Sequence, residues 1–112
     1  MDTQLSYIIC FVDDFDQAIR FYRDTLGFSL RFQSPEWTEF STGQTTIALH
    51  PASATHPAGT FQLGFHVPDL EQFHQAMLAK GFQFTRPPAL EFGAKTARFV
   101  DPRGIEYSVS GS

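Results

Sequence analysis

The chain has 112 residues, 42% hydrophobic and 18% charged, with 13 Phe and a formal charge of −4, a balance that suits one domain with one sizeable core and argues against disorder. Its eight Lys and Arg are scattered rather than gathered into a basic stripe, so no nucleic-acid partner is expected. No apolar run approaches the ~18 residues of a membrane span, and MDTQLSYIICF lacks a basic leader and a small-residue cleavage site, so a soluble cytoplasmic protein with no membrane partner is expected.

Tyr7 to Val12 is a β-branched and aromatic run that reads as a strand. Its one cysteine, Cys10, excludes an intrachain disulfide and a thiolate metal cluster within one chain. Asp14 with Gln17 three residues on has the spacing of a helix cap, and Phe15, Ile19, Tyr22 and Leu26 then share one helical face. Gly27 supplies the left-handed stop. Strands are predicted at 28–33, 36–42 and 45–50, separated around Pro35 and Gly43.

The pattern then repeats. Phe61 to Val67 is strand-like, Asp69 with Gln72 repeats the cap, Leu70, Phe73 and Met77 repeat the apolar face, and Gly81 repeats the stop. Strands are predicted at 82–86, more weakly near 90–99, and at 105–110 after the turn Asp101-Pro102-Arg103-Gly104. The sequence therefore reads as βαβββ written twice, two half-domains that bury their helices against shared or paired sheet.

VDDFDQAIRFYRDTLGF, HVPDLEQFHQAMLAKGF and RFVDPRGIEYSV resemble the three recurrent signatures of the vicinal-oxygen-chelate superfamily, the group of glyoxalases, bleomycin-resistance proteins and extradiol dioxygenases. The resemblance covers nearly the whole chain. It implies an α+β fold in which two βαβββ modules form a curved mixed sheet around a concave cup, with helices on the convex side, and usually a homodimer. One domain would span 1–112, with module one at about 5–52 and module two at about 60–112.

In the metal-dependent branches of that superfamily four side chains, typically His or Gln, Glu, His and Glu, hold one divalent ion. The matching positions here are Tyr7, Ala48, Gln62 and Ser108. They offer no carboxylate and no imidazole, whereas a hard or borderline cation takes three or four such ligands. No metal and no other cofactor is expected.

Alternation along a strand places residues two apart on the same face. Ile9 and Phe11 join Tyr7, Thr46 and His50 join Ala48, Gly64 and His66 join Gln62, and Glu106 and Ser110 join Ser108. Arg98 enters at a position that resembles a substrate-contacting site in fosfomycin-resistance relatives. Tyr7, Phe11, Trp37, His50, Gln62, His66, Arg98, Glu106 and Ser108 are thus the candidate ligand-binding residues, a mixed aromatic and polar lining suited to a small, partly aromatic molecule.

Each has a plainer reading. His50 ends a strand before Pro51, His66 suits a neutral rim histidine, Trp37 and Phe32 suit core or dimer contacts, and Arg98 with Glu106 suits an exposed cross-strand pair. His56 and His74 read as loop and helix-surface residues, and Cys10 as a small buried hydrophobe facing the helices. The leading functional reading is a metal-free small-molecule binding protein of the bleomycin-resistance type. The alternative is a metal-dependent lyase or dioxygenase-type enzyme with a shifted site of His50, His66 and Glu106, a two-histidine one-carboxylate set. Metal-free acid/base work by those residues, or a structural dimer with a self-filled cup, are further readings.

Overall fold

The computed structural model describes residues 2–91 and 93–112. In chain order they form β1 (Gln4–Val12), α1 (Phe15–Arg20), β2 (Ser29–Gln33), β3 (Thr38–Ser41), β4 (Thr46–Pro51), β5 (Phe61–Val67), α2 (Leu70–Ala79), β6 (Phe84–Glu91), β7 (Ala94–Val100) and β8 (Glu106–Gly111). This is the α+β class with βαβββ written twice. Two compact units result: Ser6–Gln62, and Leu63–Ser112 with the N-terminal residues up to Leu5.

In the first unit the hydrogen-bonded order is β2-β3-β4-β1. Strands β1 and β4 run parallel, pairing Tyr7 with Thr46, Ile9 with Ala48 and Phe11 with His50. Strand β3 runs antiparallel to β4, pairing Glu39 with Ala48 and Phe40 with Ile47. The second unit repeats the scheme as β5-β8-β7-β6, with β5 and β8 parallel and β7 antiparallel to both β8 and β6.

Both helices start as their sequences dictate. Asp14 accepts the Gln17 backbone N–H at 3.0 Å and Asp69 accepts that of Gln72 at 3.1 Å, satisfying donors the first turn leaves without an intrahelical partner. Gly27 and Gly81 follow the two helical segments with φ of 77° and 89°, a left-handed geometry that a side chain would oppose.

The first helix departs from its expected course. After six α-helical residues the chain opens into a π-helical segment, Phe21–Thr25, closed by the Leu26 N–H bonding the Phe21 carbonyl at 3.0 Å. The wider turn swings the last residues around the axis. Ile19 therefore stays buried and Tyr22 stays packed, whereas Leu26, expected on the same apolar face, is exposed.

The strand limits shift as well. Strand β6 continues past the expected 82–86 through Pro87 and Pro88, with register breaks at Phe84/Arg86 and Arg86/Ala89. Pro is tolerated there because β6 ends the strand order and the break removes the need for its N–H. The weak stretch near 90–99 accordingly divides between the end of β6 and β7, and its position 92 lies outside the described residues.

Each helix packs on one face of its own unit. Cys10, Ile19, Phe40 and Leu49 form the first buried cluster, with Phe40 and Leu49 wholly inaccessible. Val67, Leu70, Phe73, Met77, Ala97, Phe99 and Val109 form the second. Full burial of one such side chain contributes about 1.5–3 kcal/mol. Since Cys10, Leu49, Ala97 and Val109 face the helices, their neighbours along each strand face the other way.

Candidate functional site

In the first unit the face away from α1 is aromatic. Ile9, Phe11 and Ala48 are buried there, with Tyr7, Trp37 and Ala52 packed around them. The rings touch in series: Tyr7 to Trp37 at 5.8 Å, Trp37 to His50 at 6.3 Å and His50 to Phe11 at 5.3 Å between centroids, all edge to face. These separations lie in the range where the ring quadrupoles attract. Of the expected binding residues, Tyr7, Phe11, Trp37 and His50 are thus brought together, and Gln62, buried at 6% exposure, joins them through His56.

His56 lies in the connection between β4 and β5, as expected of a loop residue, but it is not idle there. Its ring stacks on Phe11 at 4.4 Å with an interplanar angle of 14°, and its Nε2 lies 3.4 Å from Gln62 Nε2. With the amide nitrogen donating, His56 Nε2 accepts, so the ring proton sits on Nδ1, which faces Thr55 Oγ1 at 3.3 Å. His50 is fixed differently. Its Nδ1 lies 2.9 Å from the Pro51 carbonyl, which can only accept, so Nδ1 carries a proton and Nε2 of the neutral ring is the acceptor.

Among the described residues Glu39 brings a carboxylate to this face, and alternation along the expected strands does not single it out. Glu39 accepts from Trp37 Nε1 at 2.7 Å and from Arg31 Nη2 at 3.0 Å, and Arg31 also reaches Thr46 Oγ1 at 2.6 Å. Burial, then the charge of Glu39 and a hydrogen bond to it, push the Tyr7 phenol above its ordinary pKa, with Arg31 partly opposing. Tyr7 therefore stays protonated and donates to Glu39. The available signal was the pairing of Glu39 with Ala48, which requires the β3–β4 register.

In the second unit the corresponding face is charged and hydroxylic. His66 is exposed with Nδ1 3.4 Å from Ser110 Oγ, and Ser108 sits in register with Gly64 and with Arg98. Arg98 approaches Glu91 at 3.9 Å, and Glu106 accepts from Thr85 Oγ1 at 2.6 Å. His66, Arg98, Glu106 and Ser108 thus belong to this unit, and the five other candidates to the first. His74 lies on α2 with its ring 4.5 Å from that of Phe84.

The Asp101 turn shapes the entry to β8. Asp101 Oδ1 accepts the backbone N–H of Arg103 and of Ile105, each at 2.9 Å, and Oδ2 accepts the Tyr107 hydroxyl at 3.0 Å. Desolvation opposes ionisation of this carboxyl, but those hydrogen bonds outweigh it and hold the pKa below the ordinary value.

A model of the Glyoxalase/Bleomycin resistance protein/Dioxygenase superfamily matches residues 4–109. The chain belongs to this superfamily. No curated protein matches the sequence. Among solved structures, methylmalonyl-CoA epimerase from Streptomyces coelicolor, in complex with 2-nitronate-propionyl-CoA, is 16% identical with a TM-score of 0.76, covering 97% of this chain and 96% of that one. A superfamily member from Vibrio splendidus is 16% identical with a TM-score of 0.66, covering 97% of each chain. The 2,3-dioxygenase LapB from Pseudomonas sp. KL28 is 17% identical with a TM-score of 0.72, covering 97% of this chain and 42% of that one. At these identities the likeness is one of fold.

The metal site of the superfamily's metal-dependent members does not fit the residues present. Ala48 has no donor and is wholly buried. Tyr7 is held protonated against Glu39, and Gln62 and Ser108 supply only an amide and a hydroxyl, poor partners for a divalent ion without carboxylate or imidazole support. Among the described residues no group of three or more His, Cys, Asp or Glu side chains is placed to hold a metal ion.

The helix side of the first unit carries a cavity of about 330 Å³ lined by Cys10, Asp14, Gln17, Phe21, Tyr22 and Gly59 among others. Cys10 faces the helix as expected. Burial pushes its thiol above the ordinary pKa, against a hydrogen bond with Tyr22, so it is a poor nucleophile at neutral pH. No helix among the described residues is long and apolar enough to cross a membrane.

Proposed function

We propose that this superfamily member is a small-molecule binding protein that holds a partly aromatic ligand on the concave face without a metal, acting as a cytoplasmic homodimer with the whole chain as one domain. The observation that carries this reading is the ring series Tyr7, Trp37, His50 and Phe11 around buried Ile9 and Ala48. Apolar floor with a few fixed polar groups is the usual makeup of a small-molecule site. Glu39 fixes Trp37 through its indole N–H, and the His50 Nε2 acceptor supplies a directional contact. The exposed apolar side chains Phe32, Phe61 and Leu90 are candidates for burial by a second copy.

Ligand binding is tested by a thermal-shift screen of aromatic acids and amides in the presence of a chelator, followed by calorimetric titration of the best hit. Phe11→Leu keeps most of the buried volume and removes the ring face, so it should weaken binding by about 0.5–1.5 kcal/mol while the protein stays folded. Trp37→Leu should do the same. Binding that appears only after a divalent metal is added would overturn the reading.

A further inference from the structure

We infer that Arg86 and Arg98 form an oxyanion-binding site on the second unit's face, taking a carboxylate or phosphoryl group between two guanidinium ions. The two residues are direct register partners across β6 and β7. Like charges placed opposite one another on a strand pair are destabilising, so the arrangement calls for an anion. The structure supplies Glu91, and supplies it loosely. Glu91 Oε1 lies 3.6 Å from Arg86 Nη2 and 3.9 Å from Arg98 Nη2, both beyond hydrogen-bond distance.

A structural ion pair would have closed this gap, because a bidentate guanidinium–carboxylate contact needs shorter separations. The donors are also underused. Arg86 Nη2 bonds Thr96 Oγ1, yet Arg86 Nε is buried and has no hydrogen-bond partner among the described residues. A buried N–H left in that state is destabilising, and an acceptor oxygen relieves it. Both guanidinium side chains keep 25% exposure, enough for a ligand to reach them. Ser108 pairs with Arg98 in register, and its hydroxyl adds a neutral donor. The other carboxylate on these strands, Glu106, is engaged by Thr85 Oγ1.

Glu91 on this reading is a resident stand-in that an incoming oxyanion displaces. The site rests on the second unit's own geometry and does not need the aromatic face to be a binding surface.

Ringless probes separate the two. The experiment is an NMR titration of the intact protein at low ionic strength, following arginine Nε–Hε resonances, with inorganic phosphate and with acetate, and with acetamide as a neutral control. The expected result is a saturable shift of the Arg86 and Arg98 resonances with at least one anion and none with acetamide. Phosphate alone marks a phosphoryl site, and acetate alone marks a carboxylate site. Arg86→Gln and Arg98→Gln should each weaken binding about tenfold or more, as loss of a hydrogen bond to charge does. Glu91→Gln should tighten it several-fold, because the competing charge is gone, an effect that a merely structural ion pair would not produce. No saturable shift with either anion, or anion binding that Arg86→Gln, Arg98→Gln and Glu91→Gln all leave unchanged, overturns the proposal.

Discussion

The two units share a βαβββ order, an aspartate cap three residues before the N–H it accepts, a glycine stop and a parallel central strand pair. They differ on the strand face turned from the helix. In the first, Tyr7, Phe11, Trp37 and His50 form connected rings with one well-bonded carboxylate, Glu39. In the second, Arg98 pairs in register with Ser108, and Arg86 and Arg98 approach Glu91 only to 3.6 and 3.9 Å. The duplicated pattern fixes backbone and core, while the residues that alternate with the core are free to diverge, so function is carried by positions the fold does not need.

Equal cores are the strongest consequence. Phe40→Ala in the first unit and Leu70→Ala in the second each remove a wholly buried side chain, and each should cost about 3–5 kcal/mol in urea denaturation. A cost under ~1 kcal/mol in one unit would show that its cluster is not a core of the same kind. Next in size is the polar anchor of the first face. Glu39→Ala removes the acceptor of Trp37 and Arg31 and should cost about 2 kcal/mol, with the Tyr7 phenol titrating lower than in the parent because the charge and hydrogen bond that raise it are gone. An unmoved Tyr7 titration would detach Glu39 from that network.

Smaller still is the shared cap. Asp69→Ala and Asp14→Ala should each cost about 1 kcal/mol, measured by the same denaturation. Unequal losses would mean that the short α1 and its π-helical extension do not depend on the cap as α2 does. The smallest effect at neutral pH is alkaline. Burial, then Cys10, pushes Tyr22 from the ordinary 10.0 up to about 12. A folded pKa above the unfolded one gives stability that is complete below pH 10 and is lost as pH rises from there through about 12. Tyr22→Phe should flatten the fall in urea midpoint over that window, and an unchanged slope would assign it elsewhere.

Much of this was legible because it is local. The Asp14 and Asp69 caps, the Gly27 and Gly81 stops and the Asp101 turn are set by residues within four positions of one another, and alternation alone put Tyr7, Ile9 and Phe11 on one face and Cys10 on the other. What sequence reading missed depends on pairing. Glu39 faces the rings only because β3 meets β4 with Glu39 beside Ala48. His56 reaches Phe11 by the path of a connection whose residues carry no periodicity. Arg86 meets Arg98 across a register break at two prolines, where counting by twos fails. Leu26 was misplaced because a π-helical segment breaks the 3.6-residue period.

The most direct measurement uses the chain's single tryptophan. Trp37 sits among the first unit's rings, so its fluorescence reports on that face. Titration of planar aromatic acids with a chelator present should give a saturable change in Trp37 emission, weakened in Phe11→Leu. No change with the chelator, and a saturable change once Zn²⁺ or Mn²⁺ is added, would contradict metal-free binding on the aromatic face.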